Sequence, residues 1–398
     1  MNVLIISELF WPEGSGGTLA AYLVTKLLAQ QSDLRVTVVT GTENPAIVRN
    51  VEYIIDSVLK SSNKIKLWLQ LSNFLVKRRF EKLMQHADTI YIVLHCYPLI
   101  PLAKKLGKRT IAHLHDYQLA SYNSTILYGQ RSGFFRDVTN ECRYEILEHD
   151  SLIRALMGSM LVPVTALCRI WMSGADVVIC VSRRMAEIVS QRVPELKLKI
   201  ETIYNPSPEI SNTERKLNGP TFMYLGGDSY VKGFYTFLRA SQRFLKSDYS
   251  VKFLLTRSFR EASRLLIGRL NKNLGGAYNL LGRISYEEVL KLHSTSHALL
   301  FPSIMEEPLP YAVLEAMLSG TIPIASRAGG VPEIVQGTYA ERMLFTPRDV
   351  NEMVDRMASI LSLSNEQLMN IGAKLKESAS NRFDNELIKQ QLLQIFSV

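Results

Sequence analysis

The chain has 398 residues, of which 47% are hydrophobic and 21% charged. That composition excludes a disordered or fibrous protein and supplies two domains of about 150–200 residues each. The net charge of +9 points to an acidic partner, while four cysteines without a CxxC pair argue against a zinc site or a disulfide framework and fit a reducing compartment.

The opening MNVLIISELFWPEG has no basic leader and too short an apolar run for a signal peptide, so VLIIS (3–7) reads as a first strand. A glycine-rich turn, PEGSGG (12–17), a helix from about Thr18 and a second strand, RVTVVTG (35–41), follow. Between Ser57 and Gln85 stand seven Lys or Arg and one Glu, interleaved with Trp68, Leu71, Phe74, Leu75 and Phe80. Two readings stay open for this segment. Lys64, Lys66, Trp68, Lys77, Arg78 and Arg79 present a surface to an anionic membrane or an acceptor. Alternatively the segment is a core-packed helix with a solvated basic edge, since its cations do not gather on one helical face. Nucleic acid is disfavoured, because no nucleic-acid motif accompanies the charge.

Short apolar runs at TIYIVL (89–94), TIAHLH (110–115) and ADVVICVS (175–182) read as strands of a parallel sheet covered on both faces. The most apolar stretch, 152–172, has only 14 uncharged residues between Arg154 and Arg169 and is broken by Pro163. It falls short of the roughly 20 residues a membrane span needs. The proline-punctuated IYNPSPEIS (203–211) ends the first half. Strands then begin near 221, 251, 278, 297 and 322, with helical patterns between them. The expected fold is α/β: two doubly wound Rossmann-like domains, 1–205 and 206–383, facing across a cleft lined by the carboxyl ends of both sheets. The apolar stripe of ELIKQQLLQIF, within 384–398, is expected to pack back on the first domain.

Three segments carry candidate chemistry. Gly14, Gly16 and Gly17 follow the first strand and precede a helix, where bare backbone and a helix N-terminus suit an anion or simply make a tight turn. In LGGDSYVKG (225–233), Gly226 and Gly227 precede Lys232, placing an ammonium near a backbone-lined turn. In MEEPLPYAVLEAM (305–317), Pro308 and Pro310 set the entry to a helix and leave Leu309, Tyr311 and Ala312 as free amide donors. Glu307 and Glu315 bracket that entry. Each carboxylate accepts two hydrogen bonds side by side, which suits vicinal sugar hydroxyls; a cap-region acid and a surface acid are the plain alternatives.

The spacing Glu307-x7-Glu315, followed by EAMLSGTIPIASRAGGVPEIV (315–335), resembles the donor-binding signature of glycosyltransferase family 4, a retaining family with the GT-B fold. The resemblance runs through 280–308 and the YLGGDSYVKG turn, and touches the N-terminal half at PEGSGG and at CVS (180–182). It implies that Glu307 holds donor sugar hydroxyls, Glu315 the nucleotide ribose, and Lys232 the diphosphate leaving group. It further implies that Gly16 and Gly17 approach the diphosphate across the cleft, that His115, followed by Asp116, is an active-site histidine, and that Arg283 lies in the base-recognition loop. The implied reaction is transfer of a hexose from a UDP- or GDP-sugar to a glycan or lipid-linked glycan, with the anomeric configuration retained. The barrier is leaving-group departure, which fixed cations and N–H dipoles lower. Neither a metal nor a cofactor is expected, and no Asp-x-Asp motif appears. The expected location is the cytoplasm, or the cytoplasmic face of a membrane. Two departures stand out: Gly227 replaces the family's arginine, and Glu307-Pro308-Leu309-Pro310 replaces EGFG. Arg257 and Arg283 are the candidates to supply the missing charge. The departures keep open a weak or inactive nucleotide- or glycan-binding protein on the same fold. Phosphorolysis and sugar-nucleotide epimerisation are further readings of the same motifs.

Overall fold

A computed structural model of the chain describes residues 1–61, 63–210, 215–247 and 249–396. Ser211 of the proline-rich junction and residues 397–398 lie outside the described residues. The first sheet comprises β1 (Asn2–Ser7), β2 (Arg35–Thr40), β3 (Val51–Ile55), β4 (Thr89–Val93), β5 (Arg109–Leu114), β6 (Val177–Cys180) and β7 (Ile200–Thr202). Its order is β3-β2-β1-β4-β5-β6-β7, parallel throughout. The second sheet comprises β8 (Thr221–Tyr224), β9 (Lys252–Thr256), β10 (Tyr278–Gly282), β11 (Ala298–Phe301), β12 (Ile322–Ser326) and β13 (Leu344–Phe345), in the order β10-β9-β8-β11-β12-β13. It too is parallel.

The central strands are apolar throughout because helices cover both faces: all five residues of β4 are buried, as are all five of β12. In each sheet the strand order reverses beside the first strand, between β1 and β4 and between β8 and β11. The crevice at such a switch point is where this architecture takes ligands. The turns after β1, β8 and β11, which carry the three candidate motifs, all emerge there. The edge strands β3, β7 and β13 are absent from the sequence reading. Their residues number five, three and two, and β3 is nowhere fully buried, so they lack the continuous apolar run that marks their neighbours.

The last helix, Asn385–Phe396, lies on the first sheet. Ile388, Leu392 and Phe396, one turn apart, join the core formed by Val3, Ile5, Val36, Tyr91 and Ile111. Arg109 fastens its end through two hydrogen bonds to the Ile395 carbonyl.

The polybasic segment requires a correction. It forms two helices, Lys64–Ser72 and Phe74–Gln85, with Asn73 between them accepting a hydrogen bond from the Leu75 amide. Trp68 is 3% exposed, donates its indole N–H to the His95 carbonyl at 2.8 Å, and meets Trp171 edge-on. The Lys64 ammonium lies over the Tyr122 ring, bonds Gln118 and the Tyr122 carbonyl, and is pushed down in pKa by burial. Neither residue faces a membrane or an acceptor in solvent, because aromatic area and a satisfied ammonium hold both inside. Lys66, Arg78 and Arg79 are exposed and Lys77 is half-buried, with Arg79 tied to Asp56 at 2.7 Å. The apolar 152–172 stretch forms helices Leu152–Leu161 and Val164–Met172, bent by 45°. Among the described residues no single helix is long and apolar enough to cross a membrane.

Candidate active site

After β11 the chain runs through two prolines into the helix Tyr311–Leu318, with Pro310 at its N-cap. Glu307 sits in this run and is 5% exposed. Its Oε1 accepts hydrogen bonds from the Lys232 ammonium at 2.8 Å and the Ser303 hydroxyl at 2.7 Å. The glycine pair after β12 fixes its backbone. Gly330 donates its amide to the Glu307 carbonyl at 2.7 Å, and a Cβ on Gly329, whose φ is +58°, would stand 2.0 Å from that carbonyl oxygen. No residue other than glycine fits there. The glycine-rich strand end seen in the sequence therefore acts as the mould for Glu307.

Glu315 is the fifth residue of the same helix and is also 5% exposed. Tyr286 donates its hydroxyl to Glu315 Oε1 at 2.8 Å. Burial pushes the Glu315 carboxyl up to about 7, against the opposing pull of the Tyr286 hydroxyl and the Arg257 charge. Tyr286 is a functional candidate that the sequence reading missed. The signal was present: Ser285 and Glu288 make a capping box, which puts Tyr286 at the first position of its helix.

The two domains meet at helix starts. The helix Gly16–Leu28 begins at Gly16 itself, with no side-chain cap and no acid in its first turn. The helix from Tyr311 is likewise uncapped by side chains and acid-free in its first turn. A Cβ on Gly16 would stand 3.3 Å from the Tyr311 ring, and one on Gly17 would stand 3.2 Å from His115. The first residues of both helices and His115 are thus neighbours across the cleft. Free N–H groups and positive dipole ends converge there, and such an arrangement attracts a multivalent anion. Tyr311 and Ala312 open that helix, while Leu309 turns its side chain into the core at 6% exposure.

His115 directly follows β5. Its Nε2 is buried without a hydrogen-bond partner among the described residues, and burial lowers its pKa to about 4, only partly opposed by Asp116. The imidazole is therefore neutral, with one ring nitrogen open to a ligand hydroxyl. Beside it lies a cluster the sequence reading passed over. His95 Nδ1 is 2.8 Å from Glu8 Oε1, and its Nε2 is 3.1 Å from Asp116 Oδ2. Burial works against the His95 charge, but the two carboxylates outweigh it and hold its pKa up at about 10. Glu8, His95 and Asp116 follow β1, β4 and β5, so strand-end position was the available signal.

Gly226 and Gly227 form the turn after β8. Gly227 has a φ of +61°, and a Cβ there would stand 2.8 Å from the Ser258 carbonyl oxygen and 3.3 Å from the Arg257 Cβ. The turn is built for glycine, which explains the missing arginine sterically. Arg257 occupies the neighbouring space and acts electrostatically on Glu315, whereas Arg283 spends its Nε on the Ser258 hydroxyl at 2.9 Å. Of the two candidate replacements, Arg257 is the one whose charge acts on Glu315.

Two buried carboxylates of the second domain join it to the first. Glu333 accepts from the amides of Arg183 and Arg184 at a helix start of the first domain, and Glu306 pairs with Arg184 at 3.0 Å. Trp11 meets Tyr286 edge-on at 5.5 Å. Two cavities of about 610 Å³ lie elsewhere, with Ile146, Leu147 and Tyr230 in both linings and none of Gly16, His115, Lys232, Glu307 or Glu315 in either.

Residues 207–378 match the family model described as glycosyl transferases group 1. A stretch of 122 residues is 28% identical to the alpha-maltose-1-phosphate synthase of Mycobacterium tuberculosis, covering 30% of this chain and 31% of that protein. The match thus spans about a third of that relative's own length. Among solved structures, sucrose-phosphate synthase from Thermosynechococcus elongatus superposes with a TM-score of 0.75 at 17% identity, over 99% of this chain and 98% of that one. Anabaena HepE, solved with UDP and glucose, superposes at 0.70 and 17% identity over 100% and 99%. The fold of the whole chain is GT-B.

Proposed function

We propose that this chain, whose residues 207–378 match the family model described as glycosyl transferases group 1, transfers a hexose from a UDP- or GDP-sugar to a glycan or lipid-linked glycan with retention of anomeric configuration. The observation that carries this reading is the Lys232–Glu307 ion pair, set beside the two uncapped helix starts at Gly16 and Tyr311. The Lys232 ammonium neutralises the buried Glu307 carboxylate. A donor sets Glu307 on its sugar hydroxyls and gives Lys232 the diphosphate as a second partner. Glu315, oriented by Tyr286, takes the ribose hydroxyls. UDP and glucose held by HepE on the same fold support this class of donor.

Chemistry follows from the charge. The bond from anomeric carbon to phosphate oxygen breaks, and negative charge grows on the departing phosphate. In this reading Lys232 and the helix N–H groups, with Arg257 as a further cation, meet that growing charge and stabilise the transition state more than the ground state. The acceptor hydroxyl bonds to the same face of the anomeric carbon, and its proton passes to the departing phosphate oxygen. Neutral His115 offers a hydrogen bond to the sugar without repelling the oxocarbenium-like carbon. The glycine at 227 and the prolines at 308 and 310 favour a binding-only protein, and Arg257, whose charge acts on Glu315, is the cation offered against that reading.

A thermal-shift panel against UDP, GDP, ADP and their sugar conjugates tests the donor site. A ligand at a hundred times its Kd stabilises by about 2.7 kcal/mol, or roughly 5–10 °C for a domain of this size. One base should give such a shift in the wild type and none in Glu315→Ala. No shift with any nucleotide would overturn the donor assignment.

A further inference from the structure

We propose that the helix Leu152–Leu161, together with the start of the helix Phe134–His149, docks the N-terminal domain on an anionic lipid bilayer. The helix is inverted relative to a water-facing one. Leu152, Ile153, Leu156, Met157 and Met160 are 77%, 74%, 66%, 58% and 72% exposed. At 100° per residue these five lie within one face of the helix. Its inward face carries small residues: Ala155 and Gly158 are buried, with Gly158 against the Glu141 side chain. Large apolar side chains that face solvent in a continuous row, while small ones face the protein, mark a surface meant for an apolar partner.

Neighbouring elements extend the row and supply its charge. Phe134 and Phe135 open their helix at 59% and 84% exposure, flanked by exposed Arg131 and Arg136. On the other side Ile170 is 66% exposed. The edge-on contact of Trp68 with Trp171 joins this helix to the basic pair, where Leu69, Phe74 and Leu75 are exposed beside Lys66 and Arg78. From Ser151 to Ala175 the sequence has no Asp or Glu. Apolar and aromatic side chains rimmed by cations, with Asp137 and the exposed Asp150 as the acids at the helix ends, complement anionic headgroups over acyl chains. The acidic residues that face the helix from beneath, Glu141 and Glu145, are buried, and Arg154 covers Glu145 at 2.9 Å.

The helix lies in the bilayer interface and does not span it, since only one face is apolar outward and the chain bends by 45° at its end. A cavity of about 610 Å³, lined among others by Val138, Cys142, Arg143, Ile146, Ser159 and Tyr230, opens beside the same element. As a place for the lipid tail of an acceptor it rests on the transferase reading, whereas the docking surface does not.

Co-sedimentation with phosphatidylcholine vesicles, with and without phosphatidylglycerol, tests docking without reference to turnover. The wild type should sediment with the anionic vesicles and be released by salt, each contacting cation adding about fivefold to the partition. Leu156→Ser/Met160→Ser should lose at least tenfold, and Arg131→Glu/Arg136→Glu should lose the preference for anionic lipid, while both keep the wild-type Tm and nucleotide shift. Equal sedimentation of the Ser variant would overturn the proposal. So would a wild type that ignores the vesicles, or one that runs as a dimer which the Ser variant dissociates, since the face would then serve a second copy of the chain.

Discussion

Replacing Glu315 with glutamine should strengthen the fold and weaken the nucleotide in one step. Burial raises this carboxyl from 4.5 to about 7, so the folded state binds a proton that the unfolded state has already released. The sign follows. Between about pH 4.5 and pH 7 stability falls as pH rises, and above that range the full cost of ionised, buried Glu315 is present. At about 1.36 kcal/mol for each tenfold change in proton affinity, that cost is roughly 3 kcal/mol. A glutamine never ionises, and its carbonyl oxygen still accepts the Tyr286 hydroxyl. Urea denaturation at pH 8 should therefore show Glu315→Gln more stable than wild type by about 1–3 kcal/mol, with little gain at pH 5. The same variant should bind nucleotide less tightly, because a neutral amide cannot accept both ribose hydroxyls. A variant with no gain at pH 8, or an equal gain at both pH values, would refute the assignment of Glu315 as a strained, functional acid.

Tyr286→Phe removes the hydroxyl that favours ionised Glu315, so nucleotide affinity at pH 7 should fall about tenfold, a loss of about 1.4 kcal/mol, and recover in part toward pH 9; titration calorimetry across pH reads this. Gly227→Arg should not restore a stronger phosphate site. Its left-handed backbone and the Ser258 carbonyl at 2.8 Å should instead cost about 1–3 kcal/mol of stability. Arg257→Ala should lower turnover by about 10²-fold if that side chain supplies the missing charge, with the nucleotide shift reduced but present. Gly329→Ala should displace Glu307 and abolish turnover even though the alanine touches no ligand, and an active Gly329→Ala would show that the close approach at 2.0 Å does not matter.

Sequence and structure agree where the physics is local and repetitive. The apolar strands, the glycine turns and the Glu307-x7-Glu315 spacing are written in contiguous residues, so the architecture and the place of these segments at strand ends were legible. The edge strands β3, β7 and β13 were not, because a two-residue strand such as β13 is defined by its partner Ala325 and Ser326, not by its own pattern. Trp68 and Lys64 misled for the same reason. Composition marked them as basic and aromatic, while tertiary contacts with His95, Trp171 and Gln118 turned them inward. The Glu8–His95–Asp116 cluster joins three residues well separated in the chain, and no periodicity records that. The reason Gly227 is glycine also lay outside its own segment, in the Ser258 carbonyl of another loop.

The central claim is sugar transfer with retention on the Lys232–Glu307 pair, and proton NMR of the anomeric product tests it most directly. With the α-linked donor selected by the thermal-shift panel, the first product seen should carry an α linkage or appear as the α-anomer of the free sugar, and its formation should disappear in Glu307→Ala. A β product, or turnover that survives Glu307→Ala unchanged, would contradict the account.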